Sequence, residues 1–210
     1  MKNIIFDLDG TLIDSMPVWN GVGKKFLKDN GVEPPEDIEE IFKTMSFEES
    51  HRYFAENLGL ECSFDHMISS IISMVKDCYA NTIPLKPYAY EFLEKEYKKG
   101  TNMCILTASE EDYVIPAVKR LGIDKFINGI FTCTGLGMSK SSGEIYDAAA
   151  ERLGGTAADT AVFEDACHGV VNAKGRGYYT VAVEDESSKD DRDTIIKTAD
   201  MYIKTYKELI

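Results

Sequence analysis

The spacing of apolar positions along this chain changes character twice. Ile4-Ile5-Phe6 is a short, uninterrupted apolar run, the pattern of a strand buried on both faces. From Asp14 to about Pro84 no strand pattern appears and the repeat is helical. Phe64, Met67, Ile68, Ile71, Ile72, Val75 and Tyr79 recur at i, i+3, i+4 and i+7, which predicts one long amphipathic helix. Ser46-Phe47-Glu48-Glu49 is a capping-box pattern and predicts a helix through about Leu58. Trp19, Val22, Phe26 and Leu27 mark an earlier helix, and Pro34 and Pro35 with the acidic stretch Glu36 to Glu40 separate it from the next.

After Pro84-Leu85-Lys86-Pro87 the pattern alternates. Tyr88 to Lys99 predicts helix, Met103 to Leu106 strand, Glu110 to Leu121 helix with Pro116 as a kink or late first turn, and Ile127 to Thr132 strand. Gly143 to Leu153 then predicts helix, Thr160 to Phe163 strand, Gly169 to Arg176 helix, Tyr179 to Val183 strand and Met201 to Ile203 a last strand. Such alternation implies an α/β fold, a doubly wound parallel sheet with a Rossmann-like core. The first strand belongs to the same sheet, so residues 1–14 and 85–210 form the core and 15–84 an inserted all-helical domain.

Composition narrows the partners. The 210 residues with 44% hydrophobic content support one substantial core plus an insertion. A formal net charge of -13 leaves no positive excess for a nucleic-acid backbone or an anionic membrane, so an anionic ligand must be captured locally. No run of eighteen apolar residues occurs, and Asp7 and Asp9 interrupt the N-terminal apolar stretch, which argues against a membrane span or signal peptide. Five scattered cysteines without a C-x-x-C pair suit reduced thiols, and the expected location is cytoplasmic.

The candidate chemistry lies at strand ends. In open parallel sheets ligands bind beyond the carboxyl ends of the strands. The first strand runs into Asp7-Leu8-Asp9-Gly10-Thr11, the second ends in Thr107-Ala108-Ser109, and another ends in Glu164-Asp165. Lys140 stands between the latter two, in the glycine-flanked loop from Gly135 to Gly143. Taken singly these features are bland: Asp-x-Asp-Gly reads as an acidic turn, Thr107 as a helix cap and Lys140 as a solvated loop residue. Side chains at i and i+2 of a strand point the same way, so Asp7 and Asp9 are expected to converge. Up to four carboxylates against one ammonium repel one another strongly, which implies a divalent cation. Oxygen ligands without a His or Cys set favour Mg²⁺ over zinc, with Asp7, Asp9, Glu164 and Asp165 as its residues. His168, close to the third of these strand ends, reads as a helix-start residue.

These segments, in this order, resemble the four motifs of the haloacid dehalogenase superfamily: Asp7-x-Asp9-Gly10-Thr11, a strand ending in Thr107, Lys140-Ser-Ser-Gly-Glu-Ile-Tyr146, and Phe163-Glu164-Asp165 followed by Gly169. The lysine segment has less proline than is usual there, and Ala166 stands where serine is commoner. The helical insertion after the first motif is similar to the capped subfamily of phosphoglycolate phosphatase and β-phosphoglucomutase. The resemblance implies Mg²⁺-dependent phosphoryl transfer through an aspartyl-phosphate. Asp7 would be the nucleophile and Asp9 the general acid and base, with its backbone carbonyl on the metal. Asp165 would be a metal ligand, with Glu164 beside it. Thr107 and Lys140 would hold the phosphoryl group, together with Gly10, Thr11, Ala108 and Ser109. The implied substrate is a small phosphorylated metabolite such as a sugar phosphate, hydrolysed to release phosphate. A hexose phosphate mutase is the alternative. Sequences similar to β-phosphoglucomutase carry an arginine after the capping-box serine and a histidine early in the first inserted helix, where this chain has Phe47 and Trp19; Lys43, Arg52 or Lys76 are the cations left for that task. A phospho-aspartate signalling module is the remote alternative, disfavoured by the insertion and the position of the motif.

Overall fold

The computed structural model describes residues 1–42 and 45–210. The chain divides into two compact units, Met1–Asp14 with Ile83–Ile210, and the inserted Ser15–Thr82. Ile83 and Pro84 thus belong with the core. Among the described residues no helix is long and apolar enough to cross a membrane.

The core unit opens with β1 (Asn3–Phe6), and the inserted unit follows with α1 (Met16–Asp29), α2 (Ile38–Phe42), α3 (Phe47–Leu58) and α4 (Phe64–Asn81). The capping box closes reciprocally at α3: Glu49 N donates to Ser46 Oγ at 3.2 Å and Ser46 N to Glu49 Oε2 at 2.7 Å. Phe26 stacks on Phe54 with ring centroids 5.7 Å apart, and Met67, Ile71, Val75 and Tyr79 supply the buried stripe of α4 that the spacing predicts. The acidic stretch after Pro35 is more than a separator. It contains α2, which forms because Ile38 is buried and Glu39 and Glu40 suit the positive end of a helix.

In the core unit β1 is joined by α5 (Ala89–Lys98), β2 (Asn102–Thr107), α6 (Glu111–Arg120), β3 (Gly129–Thr132), α7 (Cys133–Leu136), α8 (Glu144–Arg152), β4 (Thr160–Glu164), α9 (Cys167–Gly175), β5 (Tyr179–Val183), α10 (Arg192–Thr198) and β6 (Met201–Ile203). The six strands are parallel, in the order β3-β2-β1-β4-β5-β6. Ile5 pairs with Cys104 on one side and Val162 on the other. On one sheet face Ile5, Leu106 and Val162 pack against Ile145, Tyr146 and Ala149 of α8. Phe6 and Phe163, one residue on along their strands, meet Phe92 and Tyr206 in an aromatic cluster. Two boundaries differ from the sequence pattern. β3 starts at Gly129, after a 3₁₀ turn over Asp124–Phe126 that ends on Ile127, and α9 starts at Cys167, which puts Gly169 inside the helix. Pro116 is interior to α6.

The strand order reverses direction about β1 and β4, and the crevice outside their carboxyl ends is where such sheets bind ligands. Asp7 follows β1, Thr107 closes β2, and Glu164 closes β4 with Asp165 next.

Candidate active site

Asp7 is fixed at the end of β1 by its backbone, whose N–H donates to Phe163 O at 2.9 Å. Its carboxylate is buried and accepts from Lys140 Nζ. The same ammonium donates to Glu164 Oε1 at 2.6 Å, and Tyr146 Oη donates to that oxygen at 2.9 Å. Lys140 is only 7% exposed, rare for a lysine, and its two carboxylate partners account for its burial. Its backbone sits in a 3₁₀ turn, Lys140–Ser142, pinned from α9 by Asn172 Nδ2, which donates to Lys140 O at 2.8 Å and Ser141 O at 3.1 Å.

Gly10 and Thr11 shape the pocket around Asp165. Gly10 has φ +82°, and a Cβ there would lie 2.4 Å from Asp165 Oδ2. Both facts require glycine. Thr11 Oγ1 donates to Asp165 Oδ1 at 2.8 Å, while Gly10 N donates to Ile13 O at 2.9 Å. Tyr206 Oη supports the loop from below by donating to Thr11 O at 3.2 Å. Gly169 makes room on the other flank, because a Cβ there would meet the Glu164 carboxyl carbon at 2.5 Å.

The side chains of the two aspartates accept hydrogen bonds from different groups. β1 ends at Phe6, so the i, i+2 parity of a strand no longer governs at Asp9. The Asp9 carboxylate turns to the end of β2, where Oδ2 accepts from Ser109 Oγ at 2.7 Å and Thr107 Oγ1 at 3.2 Å. Asp9 stays close enough to Asp7 to act on its charge, while its hydrogen bonds run to the end of β2. Asp7, Glu164 and Asp165 each offer an oxygen within 4.8 Å of the others, and Asp9 stands with the hydroxyls. Thr107 does not cap α6; its hydroxyl accepts from Ser109 N at 3.0 Å, tightening the turn. Ala108 is exposed at that turn, and His168 is exposed at the start of α9.

Electrostatics sets the character of the cluster. Burial raises the Asp7 carboxyl from 3.8 to about 7, with Glu164 and Asp9 adding to the rise and Lys140 opposing it. Asp165 is pushed well up by burial and by its neighbours Asp7 and Glu164, against the hydrogen bond from Thr11. Burial would depress Lys140, yet Asp7 and Glu164 hold it well above its ordinary value. A charged ammonium is thus present, and the carboxylates still lack positive charge. That deficit and an all-oxygen donor set fit a hard divalent cation, with Asp7, Glu164 and Asp165 as the residues that could hold it.

Several pairings were invisible in the sequence, that of Tyr146, which closes the lysine-containing segment, among them. Tyr146 lies on α8 beside Glu164 because β4 and α8 pack, and no spacing announces that pairing. Lys86 and Asp185 form a further ion pair at 2.5 Å, and Asp185, close enough to raise Asp165 electrostatically, also caps Ser187 N at 2.9 Å. In the inserted unit, a cavity of about 480 Å³ is lined by Trp19, Phe42, Phe47, Glu48, Phe54 and Ile71 among others, with no Lys or Arg among its described lining residues. Phe54 is also core, Trp19 donates to Tyr79 Oη at 3.0 Å, and Phe47 is 44% exposed. Arg52 and Lys76 are exposed, and Lys43 lies outside the described residues.

Residues 4–183 match the model of the haloacid dehalogenase-like hydrolases. The phosphorylated carbohydrates phosphatase of Thermotoga maritima is 24% identical over 177 residues, which span 84% of this chain and 82% of that one. The pyrophosphatase PpaX of Oceanobacillus iheyensis is 25% identical over 183 residues, 87% of this chain and 83% of the relative. Among solved structures, a Thermotoga maritima protein provisionally identified as a β-phosphoglucomutase superposes with a TM-score of 0.84 at 22% identity, covering 97% of this chain and 94% of that one. A hydrolase from Deinococcus radiodurans solved with bound phosphate and sodium superposes at 0.80 with 19% identity, covering 100% and 93%. Those two likenesses concern the fold.

Proposed function

Because the chain belongs to the haloacid dehalogenase-like hydrolase family, we propose that it is a Mg²⁺-dependent phosphatase that removes phosphate from a small phosphorylated metabolite, of the sugar phosphate kind, through an aspartyl-phosphate on Asp7. The observation that carries this reading is the division of labour between the two aspartates, Asp7 beside Lys140 and Asp165, Asp9 beside Thr107 and Ser109. Phosphatase relatives of both carbohydrate and pyrophosphate type support the reaction class.

An Asp7 oxygen attacks phosphorus as the bond to the leaving oxygen breaks, and Asp9 delivers its proton to that oxygen. Asp9 then takes a proton from water, whose oxygen attacks phosphorus and displaces Asp7 as a free carboxylate. Lys140 holds the phosphoryl oxygens against Asp7 and offsets the charge that develops on them. Thr107, whose 3.2 Å bond to Asp9 is the longer of the two, turns its hydroxyl hydrogen bond from Asp9 to a phosphoryl oxygen while Ser109 keeps Asp9 oriented. Asp7, Asp165 and the Asp9 carbonyl would hold Mg²⁺, which when bound would supply the neutralisation that lets two anions approach. The inserted unit stands where capped members of the family carry their helical cap, and the cavity within it has no Lys or Arg among its described lining residues.

The test is a panel of sugar phosphates, polyol phosphates, phosphoglycolate and nucleotides with Mg²⁺, scored on kcat/KM. Release of inorganic phosphate, with one ester preferred, supports the reading. Isomerisation of a hexose phosphate without release replaces it with the mutase, and stoichiometric labelling of Asp7 without turnover replaces it with a signalling role.

A further inference from the structure

The role proposed above for Lys140 leaves a question about its hold on phosphate. The ammonium is bound by two buried carboxylates, and a lysine so held is poorly disposed to share itself with a third anion. The geometry around Glu164 supplies an answer. Its Oε1 receives two donors, Lys140 Nζ at 2.6 Å and Tyr146 Oη at 2.9 Å, and the carboxyl is wedged against the Cα of Gly169. Tyr146 is 1% exposed and Glu164 likewise 1%, so bulk solvent is shut out from both and their hydrogen bond is electrostatically strong.

We propose that Tyr146 is a positioning residue for phosphate capture: its hydroxyl takes up part of the acceptor strength of Glu164 Oε1 and so frees Lys140 to be shared with the phosphoryl group. A neutral donor suits this task. It competes for the oxygen without adding a charge that would repel Lys140 or the metal. An oxygen with two donors gives less to each, and when phosphate draws the ammonium away, the hydroxyl keeps the carboxylate from being stranded without a partner. Glu164 is thereby tied to the lysine side of the site, and the metal side rests on Asp7 and Asp165. The inference depends on the reading of Lys140 as the phosphate-holding group.

The molecule contains its own control. Tyr178 is also 1% exposed, its ring centroid lies 6.2 Å from that of Tyr146, and its hydroxyl donates at 2.8 Å to Asp147, away from the cluster. Phosphate affinity, read by inhibition in the active variants and by calorimetry with Mg²⁺ in the Lys140→Met backgrounds, and Mg²⁺ binding by calorimetry without phosphate separate the possibilities. Tyr146→Phe should weaken inhibition by phosphate about tenfold, the scale of one hydrogen bond to a charged group, with Mg²⁺ affinity held within about twofold. Tyr178→Phe should leave both unchanged. In a Lys140→Met background, Tyr146→Phe should have no further effect on phosphate affinity. Equal effects of the two tyrosine variants, a joint fall of Mg²⁺ and phosphate affinity, or an undiminished loss in the Lys140→Met background would each overturn the inference. If Lys140→Met alone leaves phosphate affinity intact, the reading of Lys140 has failed. If it weakens phosphate while Tyr146→Phe does not, only the present inference has failed. Should Tyr146→Phe fold poorly, meta-fluorotyrosine introduced in place of Tyr146 keeps the ring and strengthens the donor. It should tighten phosphate inhibition, and a weakening there would count against the proposal.

Discussion

Replacing Gly10 with alanine separates two demands that the pocket makes on one residue. A non-glycine residue in the left-handed region costs about 1–2 kcal/mol. Gly177 has φ +85°, close to the +82° of Gly10, but a Cβ at Gly177 would meet nothing within 4 Å. Gly177→Ala therefore measures the backbone cost alone. At Gly10 the added carbon would lie 2.4 Å from Asp165 Oδ2 and 2.7 Å from its Cγ, so a buried carboxylate held by Thr11 at 2.8 Å must retreat by about 1 Å to reach ordinary contact. Overpacking of that kind adds about 1–3 kcal/mol. The expected losses are then about 1–2 kcal/mol for Gly177→Ala and about 2–5 kcal/mol for Gly10→Ala. Urea unfolding followed by far-ultraviolet circular dichroism is the assay, since the single tryptophan, Trp19, reports on the inserted unit. Calorimetry should show weakened Mg²⁺ binding in Gly10→Ala and ordinary binding in Gly177→Ala. Equal destabilisation by the two variants, or intact metal affinity in Gly10→Ala, would refute the crowding of Asp165.

Other outcomes follow from the same geometry. Asp7→Asn should abolish turnover with the fold retained, as read by kcat and circular dichroism; appreciable residual activity removes Asp7 as nucleophile. Asp9→Asn should slow alkyl phosphates more than p-nitrophenyl phosphate, whose leaving group needs no proton, and an equal loss on both denies Asp9 its acid role. The Asp7 carboxyl is raised from 3.8 to about 7 in the folded protein, so the folded state binds more protons than the unfolded one in that interval. Its contribution therefore favours folding at low pH and falls as pH rises from about 4 to 7, by on the order of 4 kcal/mol at 1.36 kcal/mol per unit. EDTA-treated protein should accordingly be more stable at pH 5.5 than at pH 8, and saturating Mg²⁺ should remove that difference; a metal-free stability that rises through this range contradicts the charge deficit.

The strands at Ile4, Met103 and Thr160 were legible because buried parallel strands read as short apolar runs, and the helix from Phe64 because its stripe repeats without interruption. The carboxylates and the lysine were legible as residue types at strand ends. Their pairings were not. Asp9 parts from Asp7 because the strand stops one residue before Asp7, a boundary that apolar spacing cannot fix to a single residue. Gly169 resembles a helix start in sequence, yet it sits inside α9 to leave space for Glu164, a tertiary demand that overrides propensity. The Tyr146 bond to Glu164, and the parts played by Asn172, Lys86 and Asp185, entered only with the packing of helices and loops around the sheet.

The place of β1 in the sheet has a consequence for synthesis. It lies between β2 and β4, and Ile5 must wait for Cys104 on one edge and Val162 on the other. At about 5–20 residues per second, the last of these partners leaves the ribosome roughly 8 to 30 s after Ile5. During that interval this apolar strand has no sheet to join, while the inserted helices, which form a compact unit of consecutive residues, can already pack together. Nascent chains arrested before Thr160 should therefore display an ordered helical unit behind a protease-sensitive N-terminus that holds both aspartates.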